Sequence, residues 1–194
     1  MLIFRDKAQE KNYVLIHIPK TGGTNLRNQI SKDPRYEILH YYWYIKEGLD
    51  LAHIPYIKRD AFLPNTINTE YSFFAYTRNP YDRIISSFFY KNPYENPNGD
   101  NQAFKNFIKN TLTTYIFSSD FDFASDIIHY YPQYLFVCDH DKNIKAEMNM
   151  EQFQNNKTAT RYKLEYYFDE ECIQIINRIY IHDFILFDYE IILF

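Results

Sequence analysis

One junction constrains this chain more than any other stretch. Residues 13–18 read Tyr-Val-Leu-Ile-His-Ile, a run of β-branched and aromatic side chains stopped by Pro19, which predicts a buried strand. Gly22 and Gly23 follow as a pair in a sequence of 194 residues that has only 4 glycines. From Thr24 onward Leu26 and Ile30 recur at helical spacing. The segment therefore predicts a strand, a glycine loop and a helix in succession. A glycine pair lets backbone N–H groups approach a ligand closely. The following helix points its free N–H groups and partial positive charge at the same place. Lys20 adds a full charge, and Thr21 and Thr24 add hydroxyls. The junction suits an anion such as a phosphate. It is not the nucleoside triphosphate loop, because Lys20 precedes the glycines, and it does not match Gly-x-Gly-x-x-Gly either. Alone, a Gly-Gly turn beside a solvated lysine would explain it as well.

A second junction changes that balance. Residues 71–76 (Tyr-Ser-Phe-Phe-Ala-Tyr) predict another strand, and Asn79-Pro80 opens a helix with the apolar face Ile84, Ile85, Phe88 and Phe89. Arg78 lies where the strand ends, which is where α/β sheets place ligands. Ser86 is eight residues on and faces the same point only if the first turn is irregular. An arginine fork with a hydroxyl suits a terminal phosphate. The plain alternative pairs Arg78 with Asp82 and leaves Ser86 on the helix surface.

Elsewhere the pattern predicts a strand over 36–40, a short helix over 44–52, a helix through Phe104, Phe107, Ile108 and Leu112, a short strand over 134–138 and a long helix over 169–187. Strands alternating with helices imply an α/β fold with a mainly parallel sheet, and the length fits one domain spanning 1–194. Aromatic residues make up 20% of the chain, so large rings build much of the core. A net charge of −4 argues against a nucleic-acid partner. Cys138 and Cys172, the only cysteines, are expected as free thiols with no metal framework. The apolar run at Met1 to Phe4 is too short for a signal peptide and no stretch is long enough to span a bilayer, so a cytoplasmic location is expected.

The two junctions, HIPKTGGTNL at 17–26 and TRNPYDRIISSFFY at 77–90, closely resemble the 5′-phosphosulfate loop and the 3′-phosphate motif of sulfotransferases of the carbohydrate type. Weaker echoes follow at 132–137, 156–171 and 176–190. The resemblance implies a P-loop-like three-layer fold with its sheet flanked by helices. It implies a sulfuryl donor, 3′-phosphoadenosine 5′-phosphosulfate (PAPS), whose product is the 3′,5′-bisphosphate (PAP), with no metal, and a saccharide acceptor. Lys20, Thr21, Gly22, Gly23, Thr24 and Asn25 should hold the 5′-phosphosulfate, and Arg78 and Ser86 the 3′-phosphate. A loop near Lys157, Thr158 and Arg161 should close over the nucleotide. The catalytic base should lie between the two motifs, where AHIPYIKRDAF at 52–62 makes His53 the first candidate, His40 the second and Glu47 an outside choice. His17 reads as a core residue, and His129 as remote. The stretch 139–155 is short for the family, so a sheet strand is either lost or compressed there. A small kinase and a non-catalytic binding protein on the same scaffold are the competing readings.

Overall fold

The computed structural model describes residues 1–63, 70–95, 101–118, 127–149 and 164–193. Its centre is a sheet of five strands: β1 (Leu2–Asp6), β2 (Lys11–Ile16), β3 (Tyr36–Tyr41), a strand at Tyr71–Tyr76 and one at Glu147–Asn149, in the order β3-β1-β2, then Tyr71–Tyr76, then Glu147–Asn149. Between β3 and Tyr71–Tyr76 lies a two-stranded hairpin, β4 (Ile45–Lys46) and β5 (Leu49–Asp50), so the two later sheet strands are β6 and β7. Helix α1 (Gly23–Lys32) follows β2, and α2 (Pro80–Lys91) follows β6.

The sheet is mixed, which corrects the expectation of a mainly parallel one. β1 runs antiparallel to both β2 and β3, while β2–β6 and β6–β7 are parallel. The N-terminal residues, weighed above only as a leader, form β1, buried at four of five positions. A tight turn joins β1 to β2, and strands joined that way must run antiparallel. The parallel half positions the site. Asn12 to Ile16 pair in register with Tyr71 to Ala75, so the loops leaving β2 and β6 emerge side by side.

Alternation along the strands feeds two cores. Leu2, Phe4 and Leu15 pack with Ile30 of α1 on one face. Ile3, Val14, Ile16 and Ala75 join Ile84, Ile85 and Phe88 of α2 on the other, with Ile173, Ile176 and Phe184 from the C-terminal helices.

Further along, α3 (Gln102–Asn106) widens into a π-helical stretch (Phe107–Leu112) and continues as α4 (Thr113–Ser118). Three predicted elements differ. Residues 45–50 form a hairpin rather than a helix, because Glu47 (φ 53°) and Gly48 (φ 81°) both take the left-handed conformation a two-residue turn needs. Tyr134–Val137 is a helical turn, α5, not a strand: the Asp183 carboxylate accepts the backbone N–H groups of Gln133 and Tyr134, both at 2.8 Å, and caps it. After α6 (Leu164–Tyr167), the expected helix over 169–187 is broken into α7 (Glu170–Ile179) and α8 (Ile181–Leu186). The break is at Tyr180, fully buried, whose hydroxyl donates to the Tyr130 carbonyl at 2.7 Å. Within the short region 139–155, Glu147–Asn149 form β7 beside β6, and the residues from 150 on lie outside those described. Cys138 and Cys172 are buried free thiols. No helix among the described residues is long and apolar enough to cross a membrane.

Candidate active site

β2 ends at Ile16, and the chain turns sharply through residues 17–22. Lys20 sits at φ 65°, a left-handed conformation costly for a side chain with a Cβ, and Gly22 at φ 88°. Gly23 is irreplaceable for a second reason: a Cβ there would lie 2.0 Å from the His17 ring. Thr21 is buried and its hydroxyl donates to the Ile18 carbonyl at 2.9 Å, so it braces the loop from within. No side chain caps α1 and its first turn has no acidic residue, whereas Asn79 caps α2 and Asp169 caps α7. Asn25 N–H already bonds the Gly22 carbonyl at 3.0 Å, so the N–H groups that α1 presents without a side-chain cap are those of Gly23 and Thr24.

Arg78 reaches the same place from β6. The Gln133 side chain grips its backbone at both ends, accepting from the Arg78 N–H at 2.9 Å and donating to its carbonyl at 2.8 Å. Asp183 holds Gln133 in turn. The Arg78 guanidinium donates to the Lys20 carbonyl at 3.4 Å. Arg78 and Asn79 precede the helix, which starts at Pro80; this irregular start lets Ser86 face the Arg78 side. Lys20, Gly22, Gly23, Thr24, Asn25, Arg78, Ser86 and His53 all line one cavity of about 560 Å³. Thr21 is not among the lining residues. His40 is exposed on β3, and Glu47 is exposed in the hairpin turn; neither reaches the cavity. Lys157, Thr158 and Arg161 lie outside the described residues.

Electrostatically the cavity lacks an anion. Burial, and secondarily the charge of Arg78, push the Lys20 ammonium down to about 8. Burial also lowers Arg78, opposed by Asp82. Among the described residues no carboxylate stands within salt-bridge distance of either cation, Asp82 included. Two cations thus share the cavity with an uncapped helix N-terminus, and the charge of Arg78 disfavours that of Lys20.

Three imidazoles make the floor. His53 ends a short 3₁₀ turn (Leu51–His53) that Asp50 caps through the Ala52 N–H at 2.9 Å. His53 Nδ1 lies 2.6 Å from the His17 carbonyl. A carbonyl can only accept, so Nδ1 carries the proton and Nε2 keeps a lone pair. Burial, with the nearby positive charges of the N-terminus, Arg27 and Lys20, lowers His53 to about 3, against a raising effect of its carbonyl bond. His17 Nδ1 contacts Arg27 Nη1 at 3.4 Å; arginine only donates, so the His17 proton is on Nε2. His129, which sequence distance placed far away, completes the row: its ring is 5.3 Å from His53 and its buried Nδ1 has no partner. Burial lowers it to about 2. Its carbonyl is held by Arg83 at 3.2 Å and Ser87 at 2.8 Å. The only hint in the sequence was that pair, an arginine and a serine one turn apart on the apolar side of a helix, which need a buried acceptor.

All three histidines have folded-state values below the ordinary imidazole value. In the unfolded chain each takes a proton near pH 6.5, so stability is complete above that pH and is lost as pH falls toward 3. Each contributes about 1.4 kcal/mol per pH unit inside that window. Asp183, raised to about 6 by burial, opposes one of them below pH 6. Denaturant midpoints between pH 7.5 and 4.5 should therefore drop steeply below 6.5. His129→Phe should flatten the slope by about one proton; an unchanged slope would contradict the neutral buried state of His129.

Fold and cavity together describe an α/β protein whose two cavity cations and one helix start meet at the ends of two parallel strands. The model of a family described as the sulfotransferase family matches residues 6–160. The chain belongs to the sulfotransferase family, whose chemistry is sulfuryl transfer. Comparison with curated proteins and with solved structures returns no match.

Proposed function

We propose that this protein transfers a sulfuryl group from PAPS to a hydroxyl of a carbohydrate. The observation that carries the reading is the shared cavity: the Lys20 to Asn25 loop and the Arg78–Ser86 pair open into it together, with the Nε2 lone pair of His53 between two neighbouring imidazoles. PAPS would supply an activated sulfur on a phosphate leaving group. The cavity fits it, with unneutralised cations and an uncapped helix start. In this reading Lys20 and the first N–H groups of α1 hold the 5′ end, and Arg78 with Ser86 holds the 3′-phosphate.

Transfer then needs little from the protein beyond alignment and charge. As the acceptor oxygen bonds to sulfur, its proton passes to His53 Nε2 and the sulfur–oxygen bond to phosphate breaks. Lys20 neutralises the charge that gathers on the departing phosphate oxygen. Asp50 Oδ2, 3.9 Å from His53 Nε2, stands ready to stabilise the resulting imidazolium.

Thermal shift tests the donor. PAP should raise Tm, by about 2–4 °C per kcal/mol of binding linkage for a chain of this size, and ATP with magnesium should not. Arg78→Ala should weaken PAP at least tenfold, a charge-assisted contact being worth roughly 1.5–3 kcal/mol. Equal PAP affinity in both proteins would remove Arg78 from the 3′-phosphate site. Transfer of radiolabelled sulfate to saccharides tests the reaction itself.

A further inference from the structure

We infer that Trp43 is the acceptor platform of this cavity, stacking on the apolar face of a sugar ring while His53 receives that sugar's hydroxyl. This rests on the reading above and deepens it by naming where the acceptor lies.

Five rings form a continuous arc: Trp43–His17 at 5.9 Å between centroids, His17–His53 at 4.5 Å, His53–His129 at 5.3 Å and His129–Tyr90 at 5.0 Å. The three imidazoles in the middle are buried. The end members, Trp43 and Tyr90, are 47% and 57% exposed and stand at the cavity's two lips. They are not equivalent. The ring of Tyr90 already carries the Lys20 ammonium, 4.0 Å from its centroid, and stacks on His129. Trp43 has one covered side. The Arg27 guanidinium lies 4.2 Å from its centroid and His17 is nearly parallel to it; the 3.4 Å contact between Arg27 and His17 puts both on the same side of the indole. The Tyr41 ring lies beside both, 4.3 Å from that guanidinium and 6.4 Å from the indole centroid. With Arg27 and His17 on one side, the other side of the ring is the one left open to a ligand where Trp43 lines the cavity.

A chain with a single tryptophan has no packing reason to leave it in water, since burying so large a ring is worth more than burying most others. Arg27 makes the placement rigid: it is buried, and it also donates to the Tyr42 carbonyl at 2.7 Å. The indole is thus pre-organised, which lowers the ordering cost of binding. What surrounds it selects the ligand. Asn28 contributes an exposed neutral amide to the same lining, and none of the residues lining the cavity is a carboxylate. A flat apolar surface beside neutral amides and cations suits a ring with one C–H face, several hydroxyls and, where present, acidic substituents.

The single tryptophan reports on its own site, so the test needs no variant to begin with. Emission of the wild-type protein, saturated with PAP, is titrated with lactose, a uronic-acid tetrasaccharide and p-nitrophenol, and the same compounds are assayed for sulfate transfer. Each saccharide that accepts sulfate should shift or quench Trp43 emission at the concentration of its KM. Trp43→Ala should raise that KM about tenfold with kcat changed less than twofold and PAP affinity unchanged, and Trp43→Phe should recover part of the loss. A sulfated saccharide that saturates without altering emission overturns the inference and leaves the sulfotransferase reading intact; so does transfer to p-nitrophenol alone. Failure of PAP to bind defeats the donor reading first, and this inference with it.

Discussion

His53→Asn is expected to abolish most turnover while leaving PAP binding within about twofold of wild type. The asparagine amide nitrogen overlays the Nδ1 position, so the bond to the His17 carbonyl, 2.6 Å in the parent, is retained and the fold with it. What disappears is the Nε2 lone pair. A positioned base typically contributes about 10²–10⁴-fold, and kcat should fall by that amount. His53→Ala should add instability, because it leaves a buried carbonyl without its donor at a cost of about 1–3 kcal/mol. The wild-type pH–rate profile should have an acid limb, with activity rising as His53 loses its proton, and that limb should vanish in His53→Asn. Burial lowers His53 to about 3, and the positive charges of the N-terminus, Arg27 and Lys20 add to it. An anionic ligand acts in the opposite sense, so the limb should appear above 3 in the PAPS-saturated enzyme. Wild-type kcat in His53→Asn would mean that His53 is not the base and would turn the search to other groups on the same cavity, His129 first.

The grouping of the two motifs was more legible in the sequence than the sheet, for physical reasons. An anion site of the kind proposed is local: the loop at Lys20 to Thr24 and the turn at Arg78 each carry their groups within a few residues, and both segments line one cavity. Sheet direction is not local. Whether Leu2–Asp6 is a strand depends on its pairing with Lys11–Ile16 and Tyr36–Tyr41, and five apolar-rich residues do not state that partner. Residues 134–138 show the same limit. Their aromatic composition predicts a strand, yet a carboxylate 49 residues away caps them as a helical turn. The hairpin at 45–50 carried only Gly48 as a signal, because its other turn position is Glu47, a residue that rarely takes positive φ. Thr21 belonged to the motif and is braced inward, because a tight loop needs internal hydrogen bonds as much as ligand contacts. His129 was invisible for the opposite reason: nothing near it in sequence resembles a site, and only Arg83 and Ser87, reaching across from α2, bring it to His53.

Gly23→Ala should be the most damaging small substitution in the chain. Its Cβ would fall 2.0 Å from His17 Cδ2 and 2.4 Å from Nε2, distances no real contact allows, so the loop or the ring must move. Neither can move freely. The ring is held between Arg27 and His53, at 3.4 Å and 4.5 Å, and the backbone carbonyl of the same residue orients His53. On the loop side, the Lys20 and Gly22 backbones already occupy left-handed conformations. Overpacking of this kind costs about 1–3 kcal/mol, which for a chain of this size lowers Tm by roughly 2–12 °C. The functional loss should exceed the stability loss, because one shift displaces both the anion cradle and the orienting carbonyl of the base; PAP affinity and kcat should each fall at least tenfold. The double variant His17→Ala/Gly23→Ala gives the decisive comparison. If the clash is with the imidazole, removing the ring should recover Tm relative to the sum of the single changes, a coupling of at least about 1 kcal/mol. Additive effects would mean that Gly23 is needed for some other reason, and wild-type Tm and PAP affinity in Gly23→Ala would show that the loop does not approach His17 as closely as the structure has it.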